Sequence, residues 1–336
     1  MVRRSVFALA LMSATALGAC SASAQEVALK FSHFLGPKSF FQLDVVEPWA
    51  KELEAKTKGK VKVETFDGTS AVGGVTDQAS NVKAGKVDIA LGLRGAEGDK
   101  FLGSSVVELP FLVPSAARGS QALWALYKDD TLGEEWKDYK VLALFVHNPG
   151  LIHTKDRQIL EPADMKGVRF RSPNNTVSVA LRHLGAEPVL LQVNDVMPAV
   201  KDGKIDGIVT NWGNPLAGFN DFMKFHVETQ FYTSAFFIVM NKSRYDSLPA
   251  DVRAAIDAIS GDAWVAKFGA YWDKWDRPVR DGANAPGHEV VVPDAARMGR
   301  WREALKPVTD QYLDELAKKF PGARAAYDKL AASLRQ

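Results

Sequence analysis

The sequence predicts an α/β chain folded as two similar lobes, and three observations carry that prediction. Met165 to Pro215 alternates by hydrophobic period: strand Val168–Ser172, helix Asn174–Leu184, strand Pro188–Leu191, helix Val193–Lys201 and strand Ile205–Thr210. That rhythm builds a parallel sheet flanked by helices. VKAGKVDI at Val82–Ile89 then echoes VKDGKIDG at Val200–Gly207, each a helix end, a glycine C-cap, a lysine and an aspartate entering a strand. A generic helix-to-strand junction reads the same way, but both copies fall at the same step of a βαβα count. Finally, with residues 1–24 set aside, roughly 310 residues exceed the usual size of a single core.

Those first 24 residues read as an export signal. Arg3 and Arg4 form a positive n-region, Val6–Gly18 is apolar but too short to span a bilayer, and Ala22-Ser23-Ala24 offers a cleavage site that leaves Gln25 first. Leu17-Gly18-Ala19-Cys20 also matches a lipobox, so the alternative to a free periplasmic protein is a lipoprotein anchored at Cys20. Because Cys20 is the only cysteine, the mature chain has no disulfide, cysteine metal site or cysteine nucleophile. Removing the signal takes away Arg3 and Arg4 and no acid, so the formal charge falls from +2 to zero. A neutral balance gives no electrostatic case for nucleic acid or an anionic membrane surface.

After the signal, Val27–His33 alternates as the first strand, and Phe40–Lys58 has helical spacing up to Gly59. Lys60–Phe66 is the next strand, Thr76–Ala84 a helix and Val87–Leu91 a strand, repeating the rhythm of the later lobe. Val141–His147 is a long apolar strand running into the turn Asn148-Pro149-Gly150, the expected first crossover between lobes. Phe231–Met240 is the expected return. An apolar helical pattern from Asp251 to Arg277, free of proline, predicts a long helix bridging both lobes. Lobe I is therefore expected over residues 25–150 plus about 236–280, lobe II over 151–235, and C-terminal helices packing on the lobes over 281–336.

The order of these segments resembles the solute-binding P subunit of TRAP transporters, the DctP type. The matching pieces run through the mature chain: HFLGPKSFF, AGKVDIA, VELPFLV, EPADMKGVRFRSPNN, HLGAEPVLLQVNDVMPAVKDGKIDG and VMNKSRYDSLPADVRAAID. The resemblance implies a type II-like periplasmic binding-protein fold whose lobes close over an organic acid. It further implies delivery to a small and a large membrane permease subunit, with no cofactor and no chemistry. An ABC importer or a sensory system would use a receptor of the same two-lobe logic.

In the family, the arginine two residues into the strand after KGxx binds the ligand carboxylate, and Arg171 matches it. Its position at the C-terminal end of a strand is where open α/β sheets bind ligands, and a guanidinium fork suits a carboxylate. Arg169 lies on the same strand face, two residues earlier. The chain departs from the family in DGIVTNWGNP, where Asn211 replaces a proline and Trp212 takes the aromatic position. Trp212 is expected either to stack on the ligand or to pack under its loop, with Asn211 or Asn214 donating hydrogen bonds. From the first lobe, His33 and Phe34 end the first strand. Arg94 and Phe101, in LGLRGAEGDKF, are candidates whose alternative is a solvated cation and a core ring. His153 is a candidate donor, and Tyr232 and Phe236 either wall the pocket or pack the core.

An enzyme lacks its constellation here. GxSxG, HExxH, CxxC and phosphate-loop motifs are absent, and the six histidines are scattered. Asp88 and Asp206 repeat, but each serves better as a backbone acceptor at its own helix-to-strand turn. One clear arginine among Trp, Phe and Tyr favours a monocarboxylate with an apolar or aromatic body, whereas a second cation from Arg94 or His153 would suit a dicarboxylate.

Overall fold

A computed structural model describes residues 26–213 and 218–335; Cys20, the signal and Asn214 lie outside the described residues. The chain opens with β1 (Val27–His33), α1 (Glu47–Lys56), β2 (Val61–Phe66), α2 (Gln78–Lys83), β3 (Ile89–Leu93), α3 (Ala116–Lys128) and β4 (Tyr139–Val146). Next come β5 (Leu151–Thr154), β6 (Arg169–Ser172), α4 (Asn175–His183), β7 (Glu187–Leu190), α5 (Val193–Lys201), β8 (Gly207–Thr210) and β9 (Phe225–Val227). The remainder is β10 (Ala235–Asn241), α6 (Lys242–Ser247), α7 (Ala250–Ala258), α8 (Asp262–Val265), α9 (Phe268–Gly282), β11 (Glu289–Val291), α10 (Ala295–Ala317) and α11 (Ala323–Arg335).

Two sheets organise these elements, in the orders β2-β1-β3-β10-β4 and β11-β9-β5-β8-β6-β7. β1 runs parallel to β2 and β3, and β6 parallel to β7 and β8, as the alternating pattern requires. β5 and β10, the strands that follow the first two crossings between sheets, run antiparallel to their neighbours, whereas β11, after the third, runs parallel to β9. Each sheet is therefore mixed rather than purely parallel. β9 and β11, three residues each, were not visible in the sequence pattern.

The internal echo is a structural repeat. Gly85 and Gly203 both take left-handed backbone, at φ 69° and 68°. Each ends its helix in a Schellman motif, with Lys86 N donating to Asn81 O and Lys204 N to Ala199 O. Asp88 Oδ2 then accepts the Lys30 backbone N–H of β1 at 2.7 Å, while Asp206 Oδ2 accepts the Arg169 N–H of β6 at 3.1 Å. The two aspartates thus fasten each βαβ unit to its neighbouring parallel strand in the same way. Arg169 is occupied in this role, forking onto Asp206 through Nε at 2.8 Å and through Nη2.

Two predicted helices are interrupted, one for a local and one for a tertiary reason. The Phe40–Lys58 helix begins as a π-helical turn, Phe41–Val46, before α1. Pro48, in the first turn of α1, has no N–H to return to the carbonyl four residues back, which favours widening the preceding turn. The Asp251–Arg277 helix is three pieces: Gly261 turns to φ 61° and gives its N–H to Leu142 O of β4 at 2.7 Å, parting α7 from α8, and a turn at Ala266 and Lys267 parts α8 from α9. Contact with both lobes falls to the last piece, α9, and to α10. Along α10, Trp301, Leu305 and Val308 belong to the second-lobe core, whereas Leu313 and Leu316 belong to the first. Pro307 sits at that changeover.

A Cβ added to Gly85 or Gly203 would meet nothing within 4 Å, so only backbone strain opposes alanine. Gly85→Ala and Gly203→Ala are each expected to lose about 1 kcal/mol, and to add in the double variant. Urea unfolding measures this; a large loss at one site and none at the other would break the equivalence of the two repeats.

Candidate functional site

Between the sheets lies a small cavity of about 50 Å³. The first lobe lines it with Phe34 and Leu35 after β1, Phe41 of the π turn, Leu93 of β3, His147 after β4, Phe236 of β10 and Trp272 of α9. The second contributes Arg171 of β6, Pro173, Val193 and Asn211, and the returning segment adds Tyr232 and Ser234. Most of this wall is aromatic or aliphatic. Phe41 packs edge-on to Trp272 with ring centroids 5.6 Å apart, and Phe236 stacks on Phe145 at 5.3 Å.

Arg171 is the charge in this wall. Its side chain is buried, and its Nε and Nη1 donate to carbonyls, Leu191 O at 3.2 Å and Val209 O at 3.4 Å. No carboxylate among the described residues forms a salt bridge with it. Burial pulls its pKa down, and the Tyr232 hydroxyl beside it pulls the other way. Tyr232 is pushed up to about 12 by burial, remains a phenol, and donates to the same Val209 O at 3.3 Å. His147 is held down to about 4 by burial, with the Arg171 charge adding to the effect. Its Nε2 accepts the Ser234 N–H at 3.0 Å, so its proton sits on Nδ1 and is given to Asn148 O. The cavity therefore presents one cation, one phenol and one neutral imidazole.

Asp276 of α9 ties the lobes together beside the cavity. Its Oδ1 accepts from Asn211 Nδ2 at 2.9 Å and from Gly213 N, and its Oδ2 from Asn148 Nδ2 at 2.9 Å. Burial raises its pKa, and these hydrogen bonds act against that rise. Asn148 Oδ1 in turn caps the start of α3 by accepting Ala116 N at 2.8 Å.

The remaining sequence candidates lie elsewhere. Arg94 is buried in a two-pronged ion pair with Glu108, whose Oε1 also accepts Ala235 N at 3.0 Å. Phe101 stacks on Trp136 at 3.8 Å, away from the cavity. His33, adjacent to the lining Phe34, is fully buried against Gln42 at 2.7 Å. Trp212 turns from the cavity, donates Nε1 to Glu228 at 3.2 Å, and lies under the Arg280 guanidinium at 5.6 Å. Arg171, Asn211, Phe34, Tyr232 and Phe236 are brought together, and Asn214 is outside the described residues. His147, Trp272 and Asp276 were not singled out from the sequence. His147 ends a strand before a turn, the signal that marks such positions, whereas Trp272 and Asp276 are hidden inside a helical pattern.

His153 heads a line of imidazoles through the second sheet. Its Nε2 reaches Thr210 O at 3.1 Å and its Nδ1 reaches His226 Nδ1 at 2.8 Å. His226 Nε2 then meets His288 Nδ1 at 3.2 Å, and His288 Nε2 meets Lys224 Nζ at 3.3 Å. With a carbonyl at one end and an ammonium at the other, a single arrangement satisfies every nitrogen. Each neutral ring donates inward and accepts from outside. An added proton breaks the line. Consistently, burial lowers His153 well below its usual value, and His226 falls to about 4 through burial and the charges of His288, Arg280 and Lys224. No group of three metal-ligating side chains forms a metal site among the described residues, and none of their helices is long and apolar enough to cross a membrane.

Asp276→Ala leaves two buried donors, Asn211 Nδ2 and Gly213 N, without an acceptor, while Asn148 Nδ2 keeps Asp273 Oδ1; a stability loss of about 2–4 kcal/mol is expected, with weaker ligand binding through a freed Asn211. Urea unfolding and ligand titration of this variant check both effects; an unchanged midpoint would remove Asp276 from its role. The pH dependence has a definite sign. His147 and His226 have folded values near 4 against about 6.5 unfolded, so the unfolded chain binds more protons in between. Stability should be fully present above about pH 6.5 and fall by about 1.4 kcal/mol per pH unit for each histidine as pH drops toward 4.5. His226→Gln should make that slope shallower; an equal slope in unfolding measured from pH 7 to 4.5 would count against the line.

A family model, bacterial extracellular solute-binding protein family 7 (DctP), matches residues 31–315. The outer membrane transporter protein TsaT of Comamonas testosteroni is 26% identical over 334 residues, covering 97% of this chain and 96% of its own. The 2,3-diketo-L-gulonate-binding periplasmic protein YiaO of Escherichia coli is 26% identical over 254 residues, 71% of this chain and 74% of its own. A solved TRAP solute-binding protein from Rhodoferax ferrireducens, in complex with copurified benzoate, superposes with TM-score 0.86 at 29% identity over 92% of this chain and 98% of that one. A marine-metagenome TRAP solute-binding protein specific for aromatic acid ligands, solved with 3-hydroxybenzoate, gives TM-score 0.87 at 30% identity over 93% and 98% of the two chains.

Proposed function

The chain belongs to family 7 of the bacterial extracellular solute-binding proteins, and from that membership we propose that it captures an aromatic monocarboxylate for a TRAP transporter. It is a receptor and not an enzyme. Export through residues 1–24 leaves it free in the periplasm, where it hands the acid to a small and a large membrane permease subunit. The carrying observation is Arg171, a buried guanidinium with no carboxylate of its own. Leaving a buried charge uncompensated is strongly unfavourable, and a ligand carboxylate relieves it through charge-assisted hydrogen bonds of about 1.5–3 kcal/mol each. Closing the lobes over that pair lowers the local dielectric and strengthens it, so ligand occupancy favours the closed hinge.

The rest of the wall supports an aromatic body and a single acid group. Phe34, Phe41, Phe236 and Trp272 offer ring faces and edges, which suits a flat apolar ligand. A second carboxylate would find no second cation: Arg94 is engaged by Glu108, and His147 is neutral at physiological pH. The solved relatives with benzoate and with 3-hydroxybenzoate support the same class.

A thermal-shift screen of organic acids tests the reading. Benzoate-type acids at about 100 times their dissociation constant should stabilise the protein by ~2.7 kcal/mol, whereas succinate should not. Arg171→Met should abolish that gain without lowering the melting temperature of the unliganded protein, since it removes an unpaired buried charge. Acid binding that survives in Arg171→Met would overturn the assigned anchor.

A further inference from the structure

We propose that Trp272 sets ligand specificity by donating its indole N–H to a hydroxyl or carbonyl oxygen on the aromatic acid, at the end remote from the carboxylate. The inference rests on the proposed capture of an aromatic monocarboxylate at Arg171. Trp272 lines the cavity and is buried, and its Nε1 has no hydrogen-bond partner. Three other polar groups of the wall are already engaged: Asn211 Nδ2 by Asp276, the Tyr232 hydroxyl by Val209 O, and both nitrogens of His147. A buried donor left unmade is rare and unfavourable, and in a ligand cavity the missing acceptor is most simply the ligand's.

Placement in the fold gives the direction. Arg171 stands on β6 of the second lobe, whereas Trp272 stands on α9 and packs with Phe41 and Phe236 of the first. An acid anchored by its carboxylate on Arg171 must therefore extend its ring toward the Trp272 wall. Trp272 is held there by aromatic contacts on several sides, with ring centroids 4.9 Å to Trp275, 5.6 Å to Phe41 and 5.8 Å to His147. A donor so fixed cannot swing to another partner. It discriminates by what the ligand offers, since a methyl group placed against it leaves the N–H as unpaired as before.

Calorimetric titration of benzoate, 3- and 4-hydroxybenzoate and 3- and 4-methylbenzoate against wild type and Trp272→Phe tests the assignment. Wild type should prefer one hydroxybenzoate over its methyl counterpart by roughly five- to tenfold, the value of one neutral hydrogen bond. Trp272→Phe should erase that preference, read as the ratio of hydroxyl to methyl affinities within the variant, whatever benzoate affinity the smaller ring loses. A hydroxyl preference that persists in Trp272→Phe overturns the inference and leaves Arg171 capture standing. Should the variant fail to fold, the wild-type pair decides, and equal affinity for hydroxyl and methyl compounds overturns it. If no benzoate-type acid binds wild type, the underlying reading fails and this inference falls with it.

Discussion

The three hydrogen bonds to Asp276 are the constraint on which the arrangement of the lobes depends. This carboxylate belongs to α9, yet its donors come from the crossover at Asn148 and from Asn211 and Gly213 at the end of β8. Asn148 extends the network to the first turn of α3. A buried carboxylate is tolerated only when its oxygens are occupied, and here the occupants are the segments that must be aligned for a cavity to exist. Residue 213 has to be glycine for the same reason: a Cβ there would lie 2.4 Å from Asp276 Oδ1. The apolar walls can form because a polar joint fixes their spacing.

Two buried arginines differ in whether a counter-charge is present. Arg94 and Arg171 both follow or end a strand, and both are almost wholly shielded from water. Arg94 has Glu108 on its fork, and Glu108 also accepts a backbone N–H at the start of β10, so every strong site in that group is matched. Arg171 has two carbonyl oxygens and the Tyr232 hydroxyl, all neutral partners for a full charge. It is the missing counter-charge, not burial alone, that makes Arg171 the proposed anchor.

Much of the fold was legible in the sequence because it is periodic. The βαβ steps, the paired glycine caps and the strand ends carrying Arg171 and Asn211 follow from hydrophobic period and turn chemistry. Side-chain direction at a strand end was less accessible. Trp212 follows β8 directly, but its ring turns toward Glu228 and the histidine line, and nothing within ten residues signals that choice. Arg94 finds its partner fourteen residues away, at the end of a 3-10 helix, Gly103–Glu108, that the hydrophobic period did not show. Trp272 was counted as one of several apolar residues on a helix, and only packing distinguishes the one whose N–H remains unpaired. Gly261 broke the long helix because its N–H found a better acceptor on β4, a tertiary choice that local propensity does not contain.

The course of α10 also limits how this receptor can be rebuilt. Its first half fills the second-lobe core with Trp301, Leu305 and Val308, its second half fills the first with Leu313 and Leu316, and β11 just before it adds an edge to the second sheet. Neither lobe is therefore a contiguous stretch of chain. Exchanging residues 151–235 with a relative's, to transplant a ligand preference, would leave the grafted lobe packed on a foreign helix and missing its own edge strand. Specificity in this architecture moves between proteins only as side chains on an intact frame, or together with the distal helix that both lobes share.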